Sequence, residues 1–320
     1  MSTFQKILVT TDFSDNASVI YDFTREIAKN FEAKIDLIYI ISEPHFFPVG
    51  LDFKSFPVDK PKNAEFKDIV EENLETELND KIPEEYRGKT IIKTGKPADA
   101  IRDCAKEGGY DLIMIASRGE GNSLFNKGSV TEKLMRISHT PVLSVLNDSE
   151  TDFKRITVPT DGSDISFEAL PLAHSLAVKQ NSEIDLLSIS KADFTHIMAG
   201  ENTPYVHKDA EIKEYIFKAL QEFIKSKTSQ LYFKEEPISS DETFQLKDQK
   251  GNNVRISIVV KKGNSAHLAV VDYAEKNAQL VVMATHGYSK LTSMFVGSTT
   301  ESVFRNLKIP ILTVKPDFAK

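Results

Sequence analysis

The feature that most limits what this chain can fold into is an internal repeat. The segment 280–299, LVVMATHGYSKLTSMFVGST, has a counterpart at 112–129, LIMIASRGEGNSLFNKGS. Both read as a short apolar run, a glycine-containing loop, and Gly-Ser at a helix start. The other landmarks recur in the same order. Ile7-Leu8-Val9-Thr10-Thr11-Asp12-Phe13-Ser14 matches Ile156-Thr157-Val158-Pro159-Thr160-Asp161-Gly162-Ser163. Ile35-Asp36-Leu37 matches Ile184-Asp185-Leu186, and Thr140-Pro141-Val142-Leu143 matches Ile309-Pro310-Ile311-Leu312. The chain of 320 residues is therefore two copies of one unit. Each copy is roughly 150 residues long, an ordinary domain size. The expected domains are 1–148 and 153–316, joined by a short polar linker.

Within each copy, apolar runs alternate with stretches of helical periodicity. In the first copy, strands are expected at 6–10, 33–41, 90–93, 112–116 and 142–146. Helices are expected at 17–30 and 64–79, from Pro97, and after the glycine loop through Arg136. The second copy repeats this with strands at 155–159, 183–189, 256–260, 280–284 and 311–314. Its helices fall at 166–179, 211–227, 266–276 and 298–306. Residues 42–63, with four prolines, read as a long loop. The repeat offset is 149 at Asp12/Asp161 and 168 at Gly95/Gly263, so the second copy carries 19 extra residues. These fall near 235–253, where Phe244-Gln245-Leu246 and Val254-Arg255-Ile256 flank a polar turn and read as a hairpin.

Strands alternating with helices imply parallel βαβ units wound into an open sheet. Fully apolar strands suit a sheet covered on both faces. Ligands in such sheets sit beyond the carboxyl ends of the strands, where the strand order reverses. Asp12 and Asp161 end the first strand of each copy, and the glycine loops follow the fourth. Neighbouring first and fourth strands would bring aspartate and loop to one crevice.

Composition excludes several classes. Hydrophobic residues make up 40% and charged residues 27%, as in a soluble globular protein. The net charge is −7 with the signs interspersed, which disfavours nucleic acid as a partner. No apolar run spans a membrane, and the N-terminus lacks a signal-peptide core. With Cys104 as the single cysteine, a reducing compartment fits and the cytoplasm is expected.

Chemistry concentrates at the two glycine loops. Gly297, Ser298 and Thr299 put a close-approach glycine, two hydroxyls and free N–H groups at a helix start, where anions are favoured. Glu301, three after Ser298, completes a capping-box pattern, as Glu132 does after Ser129. Gly-Ser-x-x-Glu is equally an ordinary helix cap that binds nothing. Cys104 lies on an apolar helix face and reads as a packing residue. The acidic run of 64–79 reads as a solvated helix face. His286 reads as a loop residue, with no carboxylate orienter or nucleophile beside it. No Gly-x-x-x-x-Gly-Lys-Ser/Thr loop, dinucleotide fingerprint, metal pair of histidines or Gly-x-Ser-x-Gly elbow is present.

The ordered set Val-Pro-Thr-Asp-Gly-Ser, Val-Met-Ala-Thr-His-Gly, nine residues, Gly-Ser-Thr, then Ile-Pro-Ile-Leu-Thr-Val resembles the universal stress protein family in its tandem form. The resemblance covers nearly the whole chain. It implies two tandem doubly wound parallel five-stranded sheets of the adenine nucleotide alpha hydrolase-like type, with strand order 3-2-1-4-5. ATP-binding members carry Gly-x-x-Gly, nine residues, Gly-Ser/Thr. By this resemblance Asp161 meets the adenine end of the ligand, and Gly287, Gly297, Ser298 and Thr299 hold ribose and phosphates. Ile189, Ala284 and His286 complete the expected site, with ATP, accompanied by magnesium, as the expected cofactor. The first copy offers a weaker set, Asp12, Gly119, Gly128 and Ser129.

The chain departs from the family pattern. Its first glycine is Ala284 in one copy and Ala116 in the other. The spacing from Gly119 to Gly128 is eight residues, and Val130 stands where the second copy has Thr299. Arg118 and Lys127 add positive charge there. The second copy is thus expected to be the competent site. Three readings follow: a stress-response regulator that binds adenine nucleotide in the second copy, a non-nucleotide interaction or dimerisation module, or a slow ATPase. The resemblance also implies that the copies pair as an intrachain pseudo-dimer, with a homodimer possible.

Overall fold

A computed structural model of the chain describes residues 4–14, 19–42, 63–117, 129–146, 149–190, 209–235, 243–285 and 297–316. The chain divides into two compact units, Met1–Thr151 and Asp152–Lys320.

In the first unit, β1 (Lys6–Thr10), β2 (Lys34–Ile41), β3 (Arg87–Thr94), β4 (Leu112–Ala116) and β5 (Val142–Val145) form a parallel sheet in the order β3-β2-β1-β4-β5. Helices α1 (Ile20–Phe31), α2 (Asn63–Lys81), α3 (Pro97–Gly108) and α4 (Ser129–Ile137) are the crossovers. β1 and β4 are buried along nearly their whole length, as central strands covered on both faces must be. Right-handed crossovers put α1 and α2 on one face and α3 and α4 on the other. In α1, buried Ile20, Phe23, Ile27 and Phe31 recur at helical spacing and form the stripe that meets the sheet. Pro97 stands in the first turn of α3, where its missing N–H costs little. Gly109 ends that helix at φ 62°, a left-handed cap.

The second unit repeats the plan and extends it. Its strands are β6 (Arg155–Pro159), β7 (Glu183–Ser190), β8 (Leu231–Phe233), β9 (Phe244–Asp248), β10 (Asn253–Lys262), β11 (Leu280–Ala284) and β12 (Ile311–Val314). They lie in the order β12-β11-β6-β7-β10-β9-β8. Five of them are parallel; β9 and β8 are added antiparallel at the edge. The five parallel strands stand in the expected order, and β9 and β8 extend the sheet of this unit to seven strands. The expected hairpin is real, but its second arm is the start of β10 itself, lengthened beyond the expected 256–260. Its turn is held by Asp248 Oδ1, which accepts the N–H groups of Lys250 and Asn252 at 2.9 Å each, and by Gly251 at φ 83°. Phe217, Phe233 and Phe244 cluster beneath it with centroids 5.5–6.3 Å apart. The three-residue strand β8 was not legible in the sequence.

The helices of the second unit are α5 (Asp164–Phe167), α6 (Leu170–Gln180), α7 (Asp209–Ser226), α8 (Ala266–Asn277) and α9 (Ser298–Asn306). The single helix expected at 166–179 is broken in two. Pro171, in the first turn of α6, lacks an N–H and its ring clashes with the carbonyl four residues back, so the chain restarts there. Among the described residues no helix is long and apolar enough to cross a membrane.

Both units carry the same buried polar lock. Asp36 accepts the Tyr110 hydroxyl at 2.5 Å and the Lys89 N–H at 2.8 Å. Asp185 accepts the Tyr273 hydroxyl at 2.6 Å and Arg155 at 2.8 Å. These ties hold the second strand to the residues that lead into the fourth, and so fix the sheet from which the site projects.

Candidate functional site

The site residues sit where the chain leaves the carboxyl ends of the central strands. Each first strand hands its ladder on for one more residue: Thr11 N–H donates to Ile38 O, and Thr160 N–H to Leu187 O. The chain then turns by the same device in both copies. Phe13 N–H donates to Thr11 Oγ1 at 3.1 Å, and Gly162 N–H to Thr160 Oγ1 at 3.0 Å. Asp12 Oδ1 accepts the N–H and hydroxyl of Ser14, and Asp161 Oδ1 accepts those of Ser163. Side chains of this type that accept from two residues on replace a backbone turn. The turn needs a positive φ at its next residue, met by Gly162 at 81° and Phe13 at 60°. Both aspartates are exposed, and one carboxylate oxygen of each is committed to the turn.

In the second unit the residues that flank the fourth-strand loop are tied together. Thr285 N–H donates to Val314 O at 2.9 Å, and Gly297 N–H donates to Thr285 O at 2.8 Å. The Thr300 hydroxyl reaches the Ala284 carbonyl at 3.1 Å. The first turn of α9 is thereby tied to the end of β11. Gly297, not Ser298, is the N-cap, so the expected capping box does not form. Ser298 lies one residue inside the helix, and Glu301 instead pairs with Arg305 at 2.8 Å. Glu132 likewise pairs with Arg136 at 2.9 Å. The cap carries no side-chain acceptor, which leaves the first N–H groups of α9 without an intrahelical partner. Ser298 and Thr299 are exposed beside them.

Aspartate and loop belong to neighbouring strands in both units. β1 pairs with β4 from Ile7↔Leu112 to Val9↔Met114, and β6 pairs with β11 at Leu280↔Ile156. On their other sides β1 and β6 pair with β2 and β7, so strand order reverses at these pairs. Asp161 follows β6 by two residues, Ala284 is the last residue of β11, and Ile189 is half-buried near the end of β7. The Ile189 Cγ2 lies 3.5 Å from where a Cβ on Gly263 would stand. His286, Gly287, Gly119 and Gly128 lie outside the described residues, as do Arg118, Lys127 and the loop at 43–62. Ser129 opens α4, but its side chain is also outside them. In the first unit, Ser117 takes the place of Thr285, with its N–H on Val145 O, and buried Thr131 takes that of Thr300.

Three features beside the aspartates escaped the sequence reading. Phe13 stacks on Tyr39 with centroids 5.0 Å apart at 21°. Burial, and then the Asp12 carboxylate, push the Tyr39 hydroxyl up to about 12. In the second unit the Tyr215 ring of α7 lies against Gly162: a Cβ there would stand 2.5 Å from Tyr215 Cε1. The third feature is Glu77 of α2. While Glu71, Glu72 and Glu75 are exposed as expected, Glu77 Oε2 is enclosed, and burial raises its carboxyl above the usual range. Cys104 is buried and burial pushes its thiol up, as suits a packing residue. Among the described residues no group of three or more His, Cys, Asp or Glu is placed to hold a metal ion.

A universal stress protein of Synechocystis sp. is 35% identical over 334 residues, covering 97% of this chain and 100% of that protein. A universal stress protein of Bacillus subtilis is 30% identical over 146 residues, 44% of this chain and 99% of the relative. The crystal structure of a universal stress protein from Archaeoglobus fulgidus superposes with a TM-score of 0.65 at 20% identity, covering 99% of both chains, a likeness of fold. The profile of the universal stress protein family matches twice, over residues 3–145 and 152–315. The chain belongs to the universal stress protein family and carries its domain twice in tandem.

Proposed function

We propose that the second unit binds an adenine nucleotide, ATP, at the ends of β6 and β11, and that this binding is the regulatory input of a stress-response protein. The observation that carries the reading is the closure at Gly297. Its N–H on Thr285 O, with the Thr300 hydroxyl on Ala284 O, returns the uncapped first turn of α9 to the strand next to Asp161. Free N–H groups and two exposed hydroxyls then meet at a helix start, the arrangement that favours a phosphate. In this reading Ser298 and Thr299 hold phosphate oxygens, while Asp161 and Ile189 line the base end. Any magnesium travels on the phosphates rather than on a protein cluster.

The first unit is proposed not to share this ligand. Val130 removes one of the two hydroxyls, and the stretch from Gly119 to Gly128 is one residue shorter than its counterpart. Calorimetric titration of the full chain with ATP and magnesium is expected to give one site. Gly297→Val is expected to abolish it, since a β-branched side chain blocks the close approach, and Gly128→Val to leave it nearly intact. Two equivalent sites, or loss through Gly128 alone, would reverse the assignment.

A further inference from the structure

Behind the turn that carries Asp12, the first unit encloses a carboxyl group that plays no part in the nucleotide reading. Glu77 belongs to α2, and its Oε2 is shut off from solvent with no hydrogen-bond partner. The Tyr21 hydroxyl of α1 is enclosed in the same way, on a side chain only 1% exposed. These two groups and the Thr11 hydroxyl lie close enough to act on one another's charge, yet out of hydrogen-bonding alignment. Thr11 links the cluster to the turn. Its Oγ1 accepts the Phe13 N–H at 3.1 Å, where Phe13 holds φ at 60°. The second unit settles the same threonine differently. Thr160 Oγ1 pairs with Ser166 Oγ at 2.7 Å, and Leu170 stands at the position of Tyr21.

The three groups can be matched in two ways. An ionised Glu77 only accepts, so it must draw both hydroxyl protons to itself; a protonated Glu77 donates one of its own. Charged groups reach it from each element around it. Asp12, after β1, opposes its charge, while Lys81, on its own helix, favours it. From α1 come Tyr21 and, further out, Arg25, which pairs with Asp22 and bonds Lys81 O. From the sheet, β2 brings Tyr39, stacked with Phe13, and β3 brings Arg87, whose guanidinium is committed to Ile82 O and Asn79 O. Burial outweighs the favourable partners and favours the neutral acid.

We infer that Glu77, Tyr21 and Thr11 form a proton-binding site in the first unit, and that its proton is coupled to the turn that presents Asp12. Protonated, Glu77 donates to one of the hydroxyls and puts no charge behind Asp12. Ionised, it pulls both hydroxyls toward itself and sets a second negative charge near Asp12, which loosens the turn at Thr11 and Phe13. The folded chain holds this proton more tightly than the unfolded chain. Its stabilisation is therefore complete below the ordinary carboxyl value of about 4.5 and is lost as pH rises through the folded-state titration. The inference does not depend on what the second unit binds.

The test is hydrogen exchange of the full chain across the range above the ordinary carboxyl pKa, about pH 5 to 8, corrected for the intrinsic pH dependence of exchange. It is read in residues 9–24, so that His174 of the second unit does not enter. In the parent, protection of the turn should fall in one step as pH rises. Glu77→Gln, which cannot ionise, should lose the step. Tyr21→Phe removes a hydroxyl that favours the charge, and should move the step to higher pH. Asp12→Asn keeps the turn acceptor but removes the opposing charge, and should move the step to lower pH. A purely structural role for these two residues would change protection without moving the step. A parent without a step, or the same step in Glu77→Gln, overturns the inference. A step that neither Tyr21→Phe nor Asp12→Asn moves overturns it as well, and these two shifts decide alone if the glutamine variant fails to fold.

Discussion

Replacing Tyr273 by phenylalanine isolates one hydroxyl of the lock that both units repeat. The hydroxyl donates at 2.6 Å to Asp185 Oδ2, and Asp185 is wholly buried. The ring is retained, so packing is unchanged and the loss is that of one hydrogen bond to a charged group. Such bonds contribute about 1.5–3 kcal/mol, and here the carboxylate keeps a second partner, Arg155, which places the expected cost near 2 kcal/mol. Urea unfolding followed by circular dichroism reads the cost as a lower midpoint at unchanged slope. Hydrogen exchange should place the loss in β6 and β7. The variant also carries a pH signature. Burial, and then Asp185, raise the Tyr273 hydroxyl above its ordinary value. The folded state therefore holds its proton more tightly than the unfolded state, and this contribution to stability is present below about pH 10 and lost above it. The parent should lose stability in that alkaline window more steeply than the variant. A cost below about 0.5 kcal/mol, the size of an ordinary surface change, would show that the lock contributes nothing.

His174 of α6 is buried and hydrogen-bonded to Leu246 O at 3.0 Å, and burial lowers its pKa despite the pull of Asp248. The unfolded chain then binds the extra proton, so stability should fall as pH drops below about 6.5, and His174→Gln should flatten that fall in pH-dependent melting. Glu32 caps α1 at φ 57°, where a side chain is strained; Glu32→Gly should stabilise the first unit by about 0.5–1 kcal/mol, read as a higher urea midpoint, and a lower midpoint would contradict the strain argument.

Much of the fold was legible because parallel strands buried on both faces must be short apolar runs, and nothing else in the chain looks like them. β1, β4, β6, β11 and β12 have the bounds the runs gave. The failures have local causes. The helix break at Leu170 was written in Pro171, but the apolar spacing continued through it. β8 is three residues long and exists only because β9 offers it an edge. The lock between Asp185 and Tyr273 spans 88 residues, so no local pattern signals it. Only its recurrence as Asp36 and Tyr110 does.

The placement of the candidate residues was legible in part: Asp161 and Ala284 fall at the ends of adjacent strands, and Gly297 and Ser298 open the helix whose Thr300 hydroxyl reaches Ala284 O. What the sequence misrepresented was their bonding. Ser298 and Glu301 have the spacing of a capping box, and spacing alone cannot tell whether the serine is the cap or the residue after it. The closure of Gly297 on Thr285 decides that, and it is a contact between residues 12 apart through a loop. The decision reverses the meaning of the motif. Had the box formed, Ser298 and Glu301 would have consumed the N–H groups that an anion needs, and the motif would have been only a cap. With Gly297 as the cap and Glu301 drawn to Arg305, the Glu301 N–H donates to Gly297 O at 3.1 Å as the first helical bond, and the serine hydroxyl and glutamate carboxylate are not spent on the cap. The same pairing of Glu132 with Arg136 in the first unit shows that the glutamate alone does not distinguish the copies. The difference between them lies instead at Val130 against Thr299, and at Phe13 against Gly162, where one unit has a side chain and the other has made room for one.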